Sequence, residues 1–266
     1  MNTEVAQMIA LTSYGNLYLT NHDISLDLNH STTDDCLTIE FVELLQNEGD
    51  QEENMVANNP MKWFEYLKSS EVQLLRFHFS PGGGNRMDAN FVGGGGRWII
   101  EADKGDVSDI WDVRWSFVSE GKGNRIWGVN YGLTSKNIIL PQIVYPPVEY
   151  WHKKITDGIT KINTLVKKKG LVSFVQLLEK SLVLLEHSDP IAQIKHNDLV
   201  PPDVYSTTST QIFAACQPAW IITMPDWIDM TLENKKDDQK ISKLSDELYN
   251  NLCRGIMVAT NSVKLL

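Results

Sequence analysis

Between Val72 and Thr134 apolar and polar residues alternate with a period of two, the pattern of strands that bury one face. Leu75, Phe77 and Phe79 alternate with Leu74, Arg76 and His78, and Trp98, Ile100 and Ala102 with Arg97, Ile99 and Glu101. Trp111, Val113, Trp115 and Phe117 stand against Asp112, Arg114 and Ser116; Arg125, Trp127, Val129 and Tyr131 stand against Ile126, Gly128 and Asn130. The connections 81–96, 103–109 and 120–124 are rich in Gly, Asn and Asp. The pattern therefore predicts about four strands over 72–134, paired consecutively as an antiparallel meander.

After this stretch the period changes to one of three and four. Pro146-Pro147 opens a helix that places Trp151, Ile155, Ile159, Ile162 and Val166 on one face, with Glu149 in its first turn and Lys167 to Lys169 before Gly170 at its end. A second helix over 171–187 is apolar nearly all round, which predicts a central position. Residues 191–225 read as irregular, with a strand expected at 212–216 or 220–223. A last helix begins at Asp237-Asp238 and carries Ile241, Leu244, Leu248 and Leu252.

The N-terminal quarter is patterned less sharply. A short helix over 1–14 is followed by Gly15-Asn16, which reads as a turn into a strand at 17–19. Ser31 and Thr32 stand three residues before Asp34 and Asp35, a capping-box spacing that predicts a helix over about 34–47, although the alternation of Leu37, Ile39 and Phe41 also fits a strand. Residues 47–59 hold little apolar material and read as a linker. Asn59-Pro60 caps a short helix bearing Trp63, Phe64 and Leu67. Strands grouped together and helices grouped together define an α+β fold, with an acidic N-terminal segment (1–59) as a subdomain of the same unit and an α+β body (60–266).

Composition sharpens one point. Of 34 acidic residues 11 lie before Lys62, the first base in the chain, and the remaining 23 face all 24 Lys and Arg. The net charge of −10 therefore belongs to the N-terminal quarter. Its densest part, Asp34, Asp35, Glu40, Glu43, Glu48, Asp50, Glu52 and Glu53, is a candidate surface for a basic partner. An isoelectric point near 5.1 and the lack of a basic stripe disfavour nucleic acid. No apolar run reaches the roughly 20 residues that span a bilayer, and Met1 to Ala10 has neither the basic region nor the apolar run of a secretory leader, so the expected setting is cytoplasmic and away from membranes. Cys36, Cys216 and Cys253 are odd in number and share no short spacing, which argues against a disulfide framework or a thiolate zinc site.

Candidate chemistry is sparse. Two glycine clusters, Gly82 to Gly84 and Gly93 to Gly96, hold seven of the 17 glycines and bracket a long connection. A phosphate loop is excluded by context, because Gly96 leads into a strand rather than a helix. What remains is a lid or a plain flexible loop, with Arg86 and Arg97 placed to meet an anion. On the polar parity of adjacent strands, Arg76, His78, Arg97, Glu101, Asp112, Arg114 and Asn130 are expected to be neighbours, bringing His78 near Glu101 and Arg114 near Asp112. Such a group either does acid–base work, with Arg76, His78 and Glu101 as its catalytic residues, or forms ion pairs on a solvated face. The acids around Gly105 do not follow the calcium-loop pattern, and the six histidines offer no paired zinc spacing, so no metal and no cofactor are expected. Two functions follow: a non-enzymatic, inhibitor-like or immunity-like protein that offers an acidic surface to a basic protein partner, or an enzyme using the polar sheet face and the glycine-rich loop. Oligomeric state is not legible.

Overall fold

The computed structural model describes all residues except 47–50, 83–85, 92, 124, 231–234 and 265–266. Its centre is a six-stranded sheet of β1 (Cys36–Gln46), β2 (Gln51–Ala57), β3 (Leu74–Ser80), β4 (Arg97–Asp103), β5 (Ser108–Lys122) and β6 (Arg125–Ile138), in the order β2-β1-β6-β5-β4-β3. All neighbours are antiparallel except β1 and β6, which run parallel. Among the described residues the α-helices are α1 (Thr3–Leu19), α2 (Pro60–Ser69), α3 (Val148–Lys168), α4 (Val172–Glu186), α5 (Thr207–Ala219), α6 (Pro225–Ile228) and α7 (Lys235–Thr260). The α+β class is thus observed, with helices on both sides of the strands in sequence and six strands where about four were expected.

The two additional strands come from the expected helix over 34–47 and the expected linker. In β1 the residues Cys36, Ile39 and Phe41 are buried, and Ile39 and Phe41 lie beside Val129 and Tyr131 of β6. The Phe41 ring stacks between Trp63 (4.4 Å between centroids) and Tyr131 (5.1 Å). These non-local contacts favour the period of two over the helical spacing. β2 needs little apolar burial because its structure comes from backbone bonds to β1, a contribution that hydrophobic patterning does not register. The part of the linker at 47–50 lies outside the described residues.

Gly15-Asn16 does not turn the chain; α1 runs through both. A Cβ at Gly15 would stand 2.5 Å from Leu75 Cδ1 and 2.9 Å from Phe64 Cε1, so the glycine serves close approach of α1 to β3 and α2. Asn16 works as a strand substitute. Its Nδ2 donates to the Leu75 carbonyl at 2.9 Å and its Oδ1 accepts from the Leu75 amide at 2.6 Å. Asn261 does the same at Phe77, accepting from the amide at 2.7 Å and donating to the carbonyl at 2.8 Å. The outer edge of β3 is thereby closed by two carboxamides.

Behind the sheet, α1 is buried on nearly every side, and α3, α4, α5 and α7 pack against one another as a helical layer. Here α5 is the central helix: Ile212, Phe213, Ala214, Ala215, Cys216 and Ala219 are fully buried, and Ser206 caps it by accepting from the Ser209 amide at 3.1 Å. No strand forms over 212–223. α4, expected to be central, leaves Val172 and Val183 exposed. α2 and α3 form as the caps and spacing predict, with Asn59 accepting from the Lys62 amide at 2.9 Å. Among the described residues no helix is long and apolar enough to cross a membrane.

Candidate functional site

The chain builds a cleft of about 660 Å³ where β4 begins, within the range of ligand sites. Glu4 from the first turn of α1, Asp88, Gly93 to Gly96, Arg97, Trp98, Asp112 and Val113 line it. Glu4 is 4% exposed, and its Oε2 accepts from the Gly93 amide at 2.8 Å. Burial raises its carboxyl to about 7; the Gly93 bond opposes the shift and the nearby Asp112 carboxylate adds to it. A carboxyl poised there exchanges its proton near neutrality, as general acids and bases do, and a cation entering the cleft would draw it into the ionised form.

The glycines are part of the wall. A Cβ at Gly94 would lie 2.0 Å from the Asp88 carbonyl oxygen, and one at Gly95 would lie 2.4 Å from both Ala89 Cβ and the Tyr249 hydroxyl. Tyr249 also donates to the Gly95 carbonyl at 2.8 Å. The segment 93–96 is therefore pinned between α1, α7 and the turn at 86–90 instead of hanging free as a loop. Residues 83–85 of the first glycine cluster lie outside the described residues.

Of the two arginines expected to meet an anion, only Arg97 borders the cleft, and its guanidinium holds Asp112 at 2.7 Å. Arg86 is 4% exposed and bonds Asp246 at 2.9 Å and the Ile222 carbonyl. It ties the loop to α7 and to the segment after α5.

The polar sheet face is assembled in part as its parity predicts. His78 Nε2 meets Glu101 Oε2 at 2.6 Å, and Ser108 donates to Glu101 Oε1 at 2.6 Å. Burial by itself would raise the Glu101 carboxyl, yet the bonds from His78 and Ser108 hold it below its ordinary value. Arg76 pairs with Asp103 at 3.0 Å rather than joining His78 and Glu101. Arg114 does not meet Asp112: it pairs with Glu53 of β2, leaving Asp112 to Arg97. Asn130 lies between Glu40 and Arg114 in the strand register. Glu101 stands four residues, roughly 13 Å, along β4 from Arg97, so this group and the cleft are separate places.

The acids of the N-terminal quarter are spread out. Asp34 and Asp35 precede β1, and Glu43 lies roughly 25 Å along that strand. Glu43 pairs with Lys136 and Glu53 with Arg114; Asp34 is exposed and Asp35 and Glu40 are half-buried. Glu48 and Asp50, and the side chain of Glu52, lie outside what is described.

Two features were missed in the sequence. Glu4 signals itself only as the one charged residue of α1. The other is a junction between the loops before β1 and before α5, which replaces the expected capping box: Ser31 Oγ meets His196 Nδ1 at 2.8 Å and donates to Asp198, while His30 Nε2 meets the Asp198 carbonyl at 2.7 Å. Burial, helped by Lys195, lowers His196 to about 4 and keeps it neutral. The three cysteines are free and buried, and burial raises Cys36 to about 11 and Cys216 to about 12, so neither is a ready nucleophile. Among the described residues no group of three or more His, Cys, Asp or Glu is arranged to hold a metal ion. Comparison with known proteins returns no match among family models, curated proteins or solved structures.

Proposed function

We propose that this chain is a protein-binding protein of the inhibitor or immunity kind, which presents an acidic surface to a basic partner and seats a basic group of that partner in the Glu4 cleft. The observation that carries the reading is the composition of the cleft: three carboxyl groups, Glu4, Asp88 and Asp112, line it with one guanidinium, Arg97, already engaged by Asp112. The acids of the N-terminal quarter add a long-range field that speeds the approach of a basic partner, and that steering weakens with salt. A short lysine-containing peptide titrated calorimetrically across pH tests the reading. Binding strengthens by about tenfold per unit as the pH rises toward 7, levels off above it, and loses this dependence in Glu4→Gln. Binding that ignores both pH and Glu4→Gln overturns the assignment of the cleft.

A second reading, an enzyme of acid–base type, draws support from the same carboxyl near neutrality and from the His78–Glu101–Ser108 group. A thermal-shift screen with nucleotides and sugars separates the two. A ligand that raises the melting temperature of the wild type but not of His78→Ala or Glu4→Gln favours the enzyme.

A further inference from the structure

β4 stops short of its neighbour. Its first residue is Arg97, and at that end its pairing with β5 closes on Ile99 opposite Asp112, whereas β5 continues to Lys122. From Val113 to Phe117, β5 is paired with β6 on one side, Val113 with Tyr131, Trp115 with Val129 and Phe117 with Trp127. Among the described residues no pairing with β4 extends past Asp112, and by that register β4 ends beside Arg114, so from Trp115 onward no strand lies on the other side of β5. The Val113 amide donates to Oδ1 of its own neighbour Asp112 at 2.9 Å, so a side-chain oxygen stands in for a strand carbonyl.

Natural sheets guard such an edge with Lys, Pro or a covering element. The overhang has Arg114 and Lys122, but it also carries an apolar row in which Val113 and Trp115 pack partly against the core while Phe117 is 67% exposed, its ring 6.3 Å between centroids from Trp127. The edge opens at Asp112 and Val113 directly into the acidic cleft, since both residues line it together with Glu4 and Asp88. An exposed edge with an apolar row beside a pocket of carboxyl groups fits an extended chain whose side chains alternate between apolar and basic.

We propose that the β5 overhang receives an extended basic segment of a partner protein, which continues the sheet along the line that β4 leaves vacant and delivers a Lys or Arg side chain to Glu4, Asp88 and Asp112. The inference rests on the reading of the cleft as the seat of a basic group. Backbone bonds to the edge supply affinity, and the alternation of apolar and basic side chains supplies specificity.

The test uses four probes with the full chain at pH 8: a short peptide of alternating valine and lysine, the same peptide with alternate amides N-methylated, its glutamate counterpart, and n-butylammonium. Calorimetry is run on the wild type, Glu4→Gln and Phe117→Ala. The valine–lysine peptide is expected to bind. N-methylation, Phe117→Ala and Glu4→Gln are each expected to weaken it by about tenfold or more, and the glutamate peptide is expected not to bind. If the methylated peptide binds as well as its parent, strand addition is overturned while the cleft reading stands. If no cationic probe binds and Glu4→Gln behaves as wild type, the cleft reading falls and this inference falls with it. A concentration-dependent dimer that Phe117→Ala abolishes and the peptide does not displace assigns the edge to a second copy of the chain, which also overturns the proposal.

Discussion

The two flanks of the β3–β4–β5 region are finished in opposite ways. At β3 the sheet edge is closed by Asn16 and Asn261, whose carboxamides bond the backbone of Leu75 and Phe77, and the side chains beneath are buried: Phe77 is fully covered and stacks on Trp98 at 4.8 Å. At the β5 overhang a side chain meets the backbone at the Val113 amide, which donates to Asp112 Oδ1, but the row of apolar residues reaches solvent at Phe117 and a cleft with a poised carboxyl lies alongside. One fold thus contains a sealed edge and an open one. The contrast separates what holds the sheet from what the sheet offers to others, because closing an edge costs buried polar side chains that must find their partners, and here two are spent on β3.

Substitution can break the contrast, and the largest effect is expected in the sealed flank. Phe77→Ala should cost about 4 kcal/mol of unfolding free energy, as truncation of a fully buried aromatic does, read from urea midpoints. Asn16→Ala, which leaves the amide and carbonyl of Leu75 without partners in a buried place, should cost about 3 kcal/mol. A loss under about 1 kcal/mol would show that the edge does not depend on Asn16.

The pH dependence distinguishes the cleft from the loop junction. Burial keeps Glu4 protonated up to about 7, whereas an unfolded glutamate ionises near 4.5, so its contribution to stability is full below 4.5 and is lost as the pH rises through 7. His196 has the opposite sign. Its folded value of about 4 lies below the ordinary 6.5, so its contribution is full above 6.5 and is lost as the pH falls through 4. The two offset each other between 4.5 and 6.5, which leaves the Met1 ammonium, lowered by burial from 8.0 to about 5, to set the slope: the wild type should gain stability as the pH rises above 5. Glu4→Gln removes one limb, so its stability relative to wild type should climb by roughly 3 kcal/mol from pH 4.5 to pH 8. An unchanged difference across that range would place Glu4 in a solvated setting.

The smallest effect belongs to the open flank. Phe117→Ala should change stability by less than about 0.5 kcal/mol, since the ring is mostly exposed, while weakening peptide capture. A large stability loss would mean that the overhang is part of the core.

Legibility followed the length scale of the interaction. The four strands from 74 to 138 were readable because each alternates against one shared core, and His78 beside Glu101 followed from that parity together with strand adjacency. Helix α3 was readable because its caps and its apolar face are written within 21 residues. β1 and β2 were not, because β1 is placed by its pairing with β6, far along the chain, and β2 by backbone bonds to β1 that leave no apolar pattern. Gly15-Asn16 and Ser31-Thr32 carry local turn and cap chemistry that tertiary partners, Leu75 in one case and His196 with Asp198 in the other, put to a different use.

By itself the sequence determined the class of fold, the alternation of β3 to β6, the amphipathic helices and the concentration of negative charge before Lys62, all of which depend on neighbours along the chain or on plain counting. Only the tertiary structure decided that α1 carries Glu4 to the start of β4, that Arg86 is spent on Asp246 and Ile222, and that β5 outruns β4. Those facts depend on which distant segments meet, and a carboxyl takes its proton affinity from the burial and charge that such meetings create.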